Sequence, residues 1–78
     1  MISMKLPVIS GKEMIKILYK EFGFRPIRQR GTHVTITNDK AFVTVPLHGE
    51  LDTGTLKGIL DDCGITRDEF LKARDRVH

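Results

Sequence analysis

"RQRGTHVTITNDKAFVTVP", Arg28–Pro46, is the stretch of sequence that decides the fold. Within it, His33–Thr37 alternates: its valine and isoleucine fall on one side and its histidine and threonines on the other, the period of a half-buried strand. Phe42–Pro46 alternates in the same way, with its two valines on the core side. Asn38 and Asp39 between these segments tolerate turn geometry. The stretch therefore predicts a β-hairpin in which His33 points away from the core.

The residues before this hairpin predict a helix and a further strand. Ser10 and Glu13 have the S-x-x-E spacing of a capping box, in which each side chain satisfies a free backbone N–H at the start of a helix. Gly23 supplies the left-handed conformation that ends such a helix. Phe24–Arg30 follows as a strand, and Pro26 confines it to a sheet edge or an irregular start, because proline cannot donate to the ladder.

The residues after the hairpin predict a second main helix from about Asp52 to Cys63, capped by Asp52 or Thr53 and ended by Gly64. Thr66 begins another capping box, T-x-x-E, and predicts a short final helix.

The predicted order is helix, three antiparallel strands, helix and a short C-terminal helix. Helices on one sheet face and an open opposite face make an α+β two-layer domain. The double-stranded-RNA-binding domain has the same order, α-β-β-β-α. The length of 78 residues predicts one domain over residues 1–78.

Charge is unevenly distributed along the chain. The net charge is +3. Residues 1–49 carry eight Lys/Arg and three Asp/Glu, whereas residues 50–78 carry five and seven. A basic excess on the first helix and the sheet suits a polyanionic partner. No apolar run reaches the roughly 18 residues of a membrane helix, no signal peptide is predicted, and one cysteine fits a reducing compartment. We therefore expect a cytoplasmic protein with no membrane partner.

Most catalytic classes lack their residues in this sequence. Neither of the glycine-rich phosphate-binding loops is present, and Cys63 has no neighbouring base in the sequence. The carboxylates at 61–62 and 68–69 are explained as helix surface. One cysteine and three widely spaced histidines match no zinc pattern. No metal and no cofactor is therefore expected.

The residues that remain as candidates for a functional site are His33, Arg28, Arg30, Gly31 and Thr32. RNA carries its own nucleophile, the 2′-hydroxyl, so cleavage needs a group that moves protons and groups that stabilise charge on the phosphate. Histidine is the side chain that exchanges protons near neutral pH. Arginine forms bidentate bonds to phosphate, glycine lets the backbone approach one, and a threonine hydroxyl can donate to one.

This pattern alone leaves other interpretations open. A histidine at a strand edge beside arginines is commonly an exposed residue without a function, and arginines commonly form a solvated face. A non-catalytic RNA-binding module could use the same basic sheet face, and a partner-binding adaptor with no RNA contact is a third class.

Several segments, taken in order, resemble a known family. "MKLPVISGKEMIKILYKEFGF" is followed by "RQRGTHV" and then by "VTVPLHGELDTGTLKGILDDCGIT". Their shared features are a helix ending in G-F, then R-x-x-G-[ST]-H, V-P-x-H and L-x-x-G-T-L-x-x-I-L. This set is similar to the HicA family of toxin mRNA interferases, over roughly residues 5–72.

The resemblance implies a double-stranded-RNA-binding-like fold, an endoribonuclease that cuts mRNA, and a HicB-type antitoxin partner. It places the catalytic histidine at His33. Many relatives have a second histidine directly afterwards, where this chain has Val34. His48 also matches a family position and could contact phosphate or carry the second proton, although a loop histidine that caps carbonyls is the simpler interpretation. Lys40 and Lys57 are weaker candidates for phosphate contacts.

An antitoxin could silence such a toxin by covering the basic face. Acidic groups on the partner would meet Arg28 and Arg30. Phe42 and Phe70 are expected to be exposed and to add apolar area to that interface, although Phe70 could instead lie over the core.

Overall fold

A computed structural model of the protein describes residues 6–77. Its helices and strands, in chain order, are α1 (Gly11–Phe22), β1 (Arg25–Arg30), β2 (His33–Thr37), β3 (Phe42–Pro46), α2 (Thr53–Cys63) and α3 (Arg67–Val77). This order confirms the predicted α+β arrangement. The final helix is not short, however, because α2 and α3 both contain 11 residues. Phe70 and Ala73 are buried and Val77 packs against the core, so an apolar stripe sustains α3 to its end.

The three strands form one antiparallel sheet in the order β1-β2-β3. His33, at the start of the central strand, pairs with Arg30 on one side and Pro46 on the other. β1 is an edge strand, as Pro26 predicted, and its register shifts between Pro26 and Arg28. This bulge inserts an extra residue, Ile27, into the edge strand.

The turn between β2 and β3 is held by side chains of its own residues. The Asn38 carboxamide oxygen accepts hydrogen bonds from the backbone N–H groups of Lys40 and Ala41, and Asp39 has a φ of 74°. The Thr37 hydroxyl accepts from the Asp39 N–H and donates to the Ala41 carbonyl. Thr37 is therefore buried, which departs from the strict alternation predicted for β2.

The core lies between the helices and one face of the sheet. Its buried hydrophobic residues are Ile9, Met14, Ile17, Leu18, Phe24, Val34, Ile36, Val43, Val45, Leu51, Leu56, Ile59, Leu60, Ile65, Phe70 and Ala73. The expectation that Phe70 is exposed is wrong, because its side chain is 0% accessible. α3 packs beside α1 and places Phe70 in the core, whereas Phe42, on the opposite sheet face, is 71% exposed as expected.

The predicted helix caps are present. The Ser10 hydroxyl accepts from the Glu13 N–H, and the Asp52 carboxylate accepts from the Thr55 N–H. Thr66 and Glu69 form a reciprocal capping box at α3. In the part of the chain that the structure describes, none of the helices combines the length and apolar character needed to cross a bilayer.

The start of α1 packs directly against the end of β3. The Gly11 N–H donates to the His48 carbonyl over 2.9 Å, and a Cβ on Gly11 would lie 1.9 Å from the Pro46 carbonyl oxygen. The Leu47 N–H donates to the Thr32 carbonyl, and the Leu51 N–H donates to the Ile9 carbonyl. These contacts fix the loop after β3 at the end of the sheet that holds His33.

Candidate functional site

The sheet face opposite the helices is open and basic. Cross-strand partners lie on the same face of a sheet, so the register places Arg30 beside His33 and Arg28 beside Thr35. His33, Arg28 and Arg30 are exposed, whereas Val34, next to His33, is buried on the other face. The structure therefore brings His33 and both arginines together on the solvent-facing side of β1 and β2.

Gly31 and Thr32 form the two-residue turn that joins Arg30 to His33. Gly31 has a φ of 56°, and glycine at the first position of such a turn is a common hairpin connection. The Gln29 side-chain amide donates to the Gly31 carbonyl over 3.0 Å, and the Thr32 carbonyl accepts from the Leu47 N–H over 2.6 Å. The turn conformation is a sufficient reason for glycine at this position. Sequence reasoning did not identify Gln29 as a residue that holds the turn.

His48 lies at the same end of the sheet as His33. It follows Pro46, the β3 partner of His33, by two residues, and its carbonyl is fixed by the Gly11 N–H. Its side chain is exposed. Neither the His33 nor the His48 ring forms a hydrogen bond with another residue of 6–77, so both rings are available to a ligand.

Asp52 lies close enough to His48 for their charges to interact. The backbone N–H of Thr55, then its side chain, donates to the Asp52 carboxylate and lowers the pKa of Asp52 below its ordinary value. The His48 charge lowers the same pKa by a smaller amount. The hydrogen bonds at the start of α2 are therefore the main cause of the lowered pKa of Asp52.

Cys63 is poorly suited to act as a nucleophile. Burial, with a smaller contribution from Asp62, raises the pKa of its thiol to about 11. The thiolate is the reactive form of cysteine, so little of it exists at neutral pH.

Comparison with known proteins identifies the family. The family model described as the HicA toxin of bacterial toxin–antitoxin systems matches residues 11–65, well over half of the chain. The chain belongs to the HicA toxin family. The matched segment begins at the first residue of α1 and contains the whole sheet, His33 and His48. No curated protein matches the chain significantly.

This HicA toxin has a third arginine on the open face that sequence reasoning did not select. The bulge after Pro26 brings Arg25 into register with Thr37, on the same face as Arg28. The Arg25 guanidinium donates two hydrogen bonds, of 2.8 and 3.0 Å, to the Asp39 carboxylate. The hydrogen bonding and then the charge of Arg25 lower the pKa of Asp39. The interrupted alternation around Pro26 is the sequence signal for this placement.

The two lysines considered as weaker phosphate contacts lie elsewhere in the HicA fold. Lys40 is in the β2–β3 turn, at the opposite end of the sheet from His33. Lys57 is exposed on α2, in the helix layer that covers the core face of the sheet. Neither residue shares a strand end with His33.

Proposed function

We propose that this HicA toxin is an endoribonuclease, an mRNA interferase that cleaves mRNA in the cytoplasm without a metal ion, with His33 as general acid or base. The observation that carries the proposal is the pairing of an exposed, unbonded His33 with Arg30 on an open basic face. Family membership supports the same function.

The chemistry requires one proton to leave and one to arrive. In the forward step the 2′-hydroxyl loses its proton to a base, and its oxygen attacks the adjacent phosphorus. The bond from phosphorus to the 5′ oxygen breaks, and that oxygen takes a proton from an acid. The products are a 2′,3′-cyclic phosphate and a 5′-hydroxyl. His33 can act as the base or the acid, and such catalysis typically contributes about 10²–10⁴-fold in rate.

The groups around His33 suit the binding of the reacting phosphate. Arg28 and Arg30 present permanently charged guanidinium groups on the face that His33 occupies. Donors that meet negative charge as it develops in the transition state lower the barrier. In this proposal both arginines hold phosphate oxygens, while the Gly31 backbone and the Thr32 hydroxyl approach the same strand of RNA from the turn.

His48 is the candidate for a further RNA contact or for the second proton carrier. The anchored loop holds it at the His33 end of the sheet, and its ring has no hydrogen-bond partner within residues 6–77. A bell-shaped pH dependence of kcat/KM reports an essential acid and an essential base. If His48 carries the second proton, His48→Ala removes one limb of that profile. If it only binds RNA, the variant raises KM and keeps both limbs.

The proposed partner is a HicB-type antitoxin that covers the open face. Acidic side chains would meet Arg28 and Arg30, and Phe42, at 71% exposure, would supply apolar contact area. Occupation of this face would block RNA by direct overlap with His33.

The decisive experiment incubates purified protein with RNA in the presence of a chelator. We expect cleavage by the parent protein and by His78→Ala, a matched histidine substitution, and a large loss with His33→Ala. Cleavage by His33→Ala at the parent rate would show that the assignment of His33 is wrong. Salt-sensitive RNA binding with intact RNA after long incubation would instead support a non-catalytic RNA-binding module.

A further inference from the structure

The solvent-facing side of α1 is a basic surface outside the His33 face. Lys12, Lys16 and Lys20 recur at i, i+4 and i+8 and are all exposed, and Tyr19 lies beside them at 60% exposure. We call these four residues the α1 stripe. Residues with this spacing occupy one face of a helix, and the three lysines extend about 12 Å along it.

The two sides of α1 differ in how their charges are compensated. Both acidic residues of the helix, Glu13 and Glu21, face α3, where Arg74 and Arg76 pair with them. None of the stripe lysines forms an ion pair with any residue of 6–77. The packing of α3 therefore neutralises the acidic residues of α1 and leaves its lysines without counter-charges.

The stripe begins at the end of the molecule where His33 lies. Lys12 follows Gly11, whose N–H is bonded to the His48 carbonyl and whose Cα packs on Pro46. Pro46 is the cross-strand partner of His33. A strand of nucleic acid that passes His33 and His48 at the end of the sheet thus reaches the first turn of α1, where Glu13 lies beside Lys12 and Lys16 but pairs with Arg74 of α3.

We propose that the α1 stripe is a second RNA-binding surface, which holds single-stranded RNA beyond the phosphate at His33. Successive lysines are one helical turn apart, comparable to the spacing of neighbouring phosphates along a strand, and each can contact one phosphate. Tyr19, between Lys16 and Lys20, offers an exposed ring on which a base can stack. The combination of unpaired lysines with an exposed aromatic ring favours RNA over an acidic protein as the occupant. This inference rests on the proposed function, because it extends the same RNA site.

The test measures binding of fluorescent single-stranded RNA to protein carrying His33→Ala, so that no cleavage intervenes. In this background, replacing all three lysines with glutamine reduces the slope of log K against log salt by about 2, since each phosphate contact in single strands contributes about 0.7. Tyr19→Ala weakens binding at least about fivefold, while Tyr19→Phe keeps the stacking ring and the affinity. A short RNA that reaches only His33 shows neither effect.

The control for Lys16→Gln is Lys72→Gln, which also removes one lysine charge from a helix. Lys72 is exposed on α3 and pairs with Asp68, so Lys72→Gln removes one positive charge without changing the α1 stripe. We expect Lys72→Gln to leave the slope of log K against log salt unchanged. Lys16→Gln should reduce that slope by about 0.7. Equal reductions of this slope in Lys16→Gln and Lys72→Gln would overturn the proposal, because the effect would then come from the net charge of the protein.

Two further outcomes separate this inference from the proposed function. If the triple variant binds RNA with the parent slope but loses affinity for the antitoxin, the stripe is a protein-binding surface and the inference fails while the proposed function stands. If the starting protein binds no RNA of either length, the proposed function fails and the inference fails with it.

Discussion

Arg30 and His33 are cross-strand partners, separated along the chain only by the Gly31–Thr32 turn. Their proximity is therefore set by backbone pairing, and the turn is held further by Gln29 and by the Leu47 N–H. Groups placed on strands are positioned more accurately than groups on free loops. This hairpin end thus presents an imidazole and a guanidinium group side by side on the open face of the sheet.

The first prediction compares two arginines on this face. Arg30→Ala should lower kcat/KM for RNA cleavage by roughly ten- to hundredfold, since a charge-assisted hydrogen bond contributes about 1.5–3 kcal/mol. Arg30→Lys should recover only part of this, because lysine lacks the bidentate fork. Arg25→Ala is the matched control and should cost much less, since Asp39 already occupies that guanidinium. Equal losses of kcat/KM in Arg30→Ala and Arg25→Ala would instead indicate a general effect of positive charge.

The second prediction concerns the contact between α1 and β3. Gly11→Ala should destabilise the protein by about 1–3 kcal/mol, because the new Cβ would overlap the Pro46 carbonyl, which cannot move without disturbing β3. Gly58→Ala, within α2, meets nothing within 4 Å and should instead stabilise it by about 0.5–1 kcal/mol. Urea denaturation of both variants measures the two changes, and a stable Gly11→Ala protein would contradict the close packing.

The third prediction is a loss of stability in acid that involves the cap of α2. The pKa of Asp52 is lowered from 3.8 in the folded protein, chiefly by the hydrogen bond from the Thr55 N–H. The stabilisation is therefore fully present above the unfolded-state value and disappears as the pH falls through the lower folded-state value. Asp52→Asn keeps a neutral cap, so its melting temperature should fall less steeply below pH 3.8 than that of the parent. Parallel melting curves across this range would argue against the assignment.

The fourth prediction contrasts Phe42, on the open face of the sheet, with Phe70, in the core. Phe70→Ala should cost about 3–5 kcal/mol, because the side chain is fully buried, and it should loosen α3 from the core. Phe42→Ala should change the free energy of unfolding by no more than about 0.5 kcal/mol, since the ring is 71% exposed. The same Phe42 variant should weaken the antitoxin complex, which a binding titration would detect.

Much of the fold was predictable because local rules govern it. The strands followed from alternation at Val34, Ile36, Val43 and Val45, and their burial confirms it. The helix starts followed from side chains that bond backbone groups three residues away, and such short-range contacts do not depend on the rest of the fold. The exposure of His33 followed from its place in the same alternation.

Other features depended on contacts that no local pattern records. Phe70 is buried because α3 packs against α1, and the bulge at Ile27 moves Arg25 onto the open face. Two backbone hydrogen bonds hold the His48 loop at the His33 end of the sheet. The Gly11 N–H donates to the His48 carbonyl, and the Leu47 N–H donates to the Thr32 carbonyl.

The sequence by itself determined the order of elements, their caps and the side of the sheet on which His33 lies, because periodicity and capping act over a few residues. Only the tertiary structure decided which charges remain free. Arg25 is paired with Asp39, and the glutamates of α1 are paired with arginines of α3, while Arg28, Arg30 and the α1 lysines are left without such partners within residues 6–77. Ion pairing joins residues far apart in the chain, so it is settled only when the helices pack on the sheet.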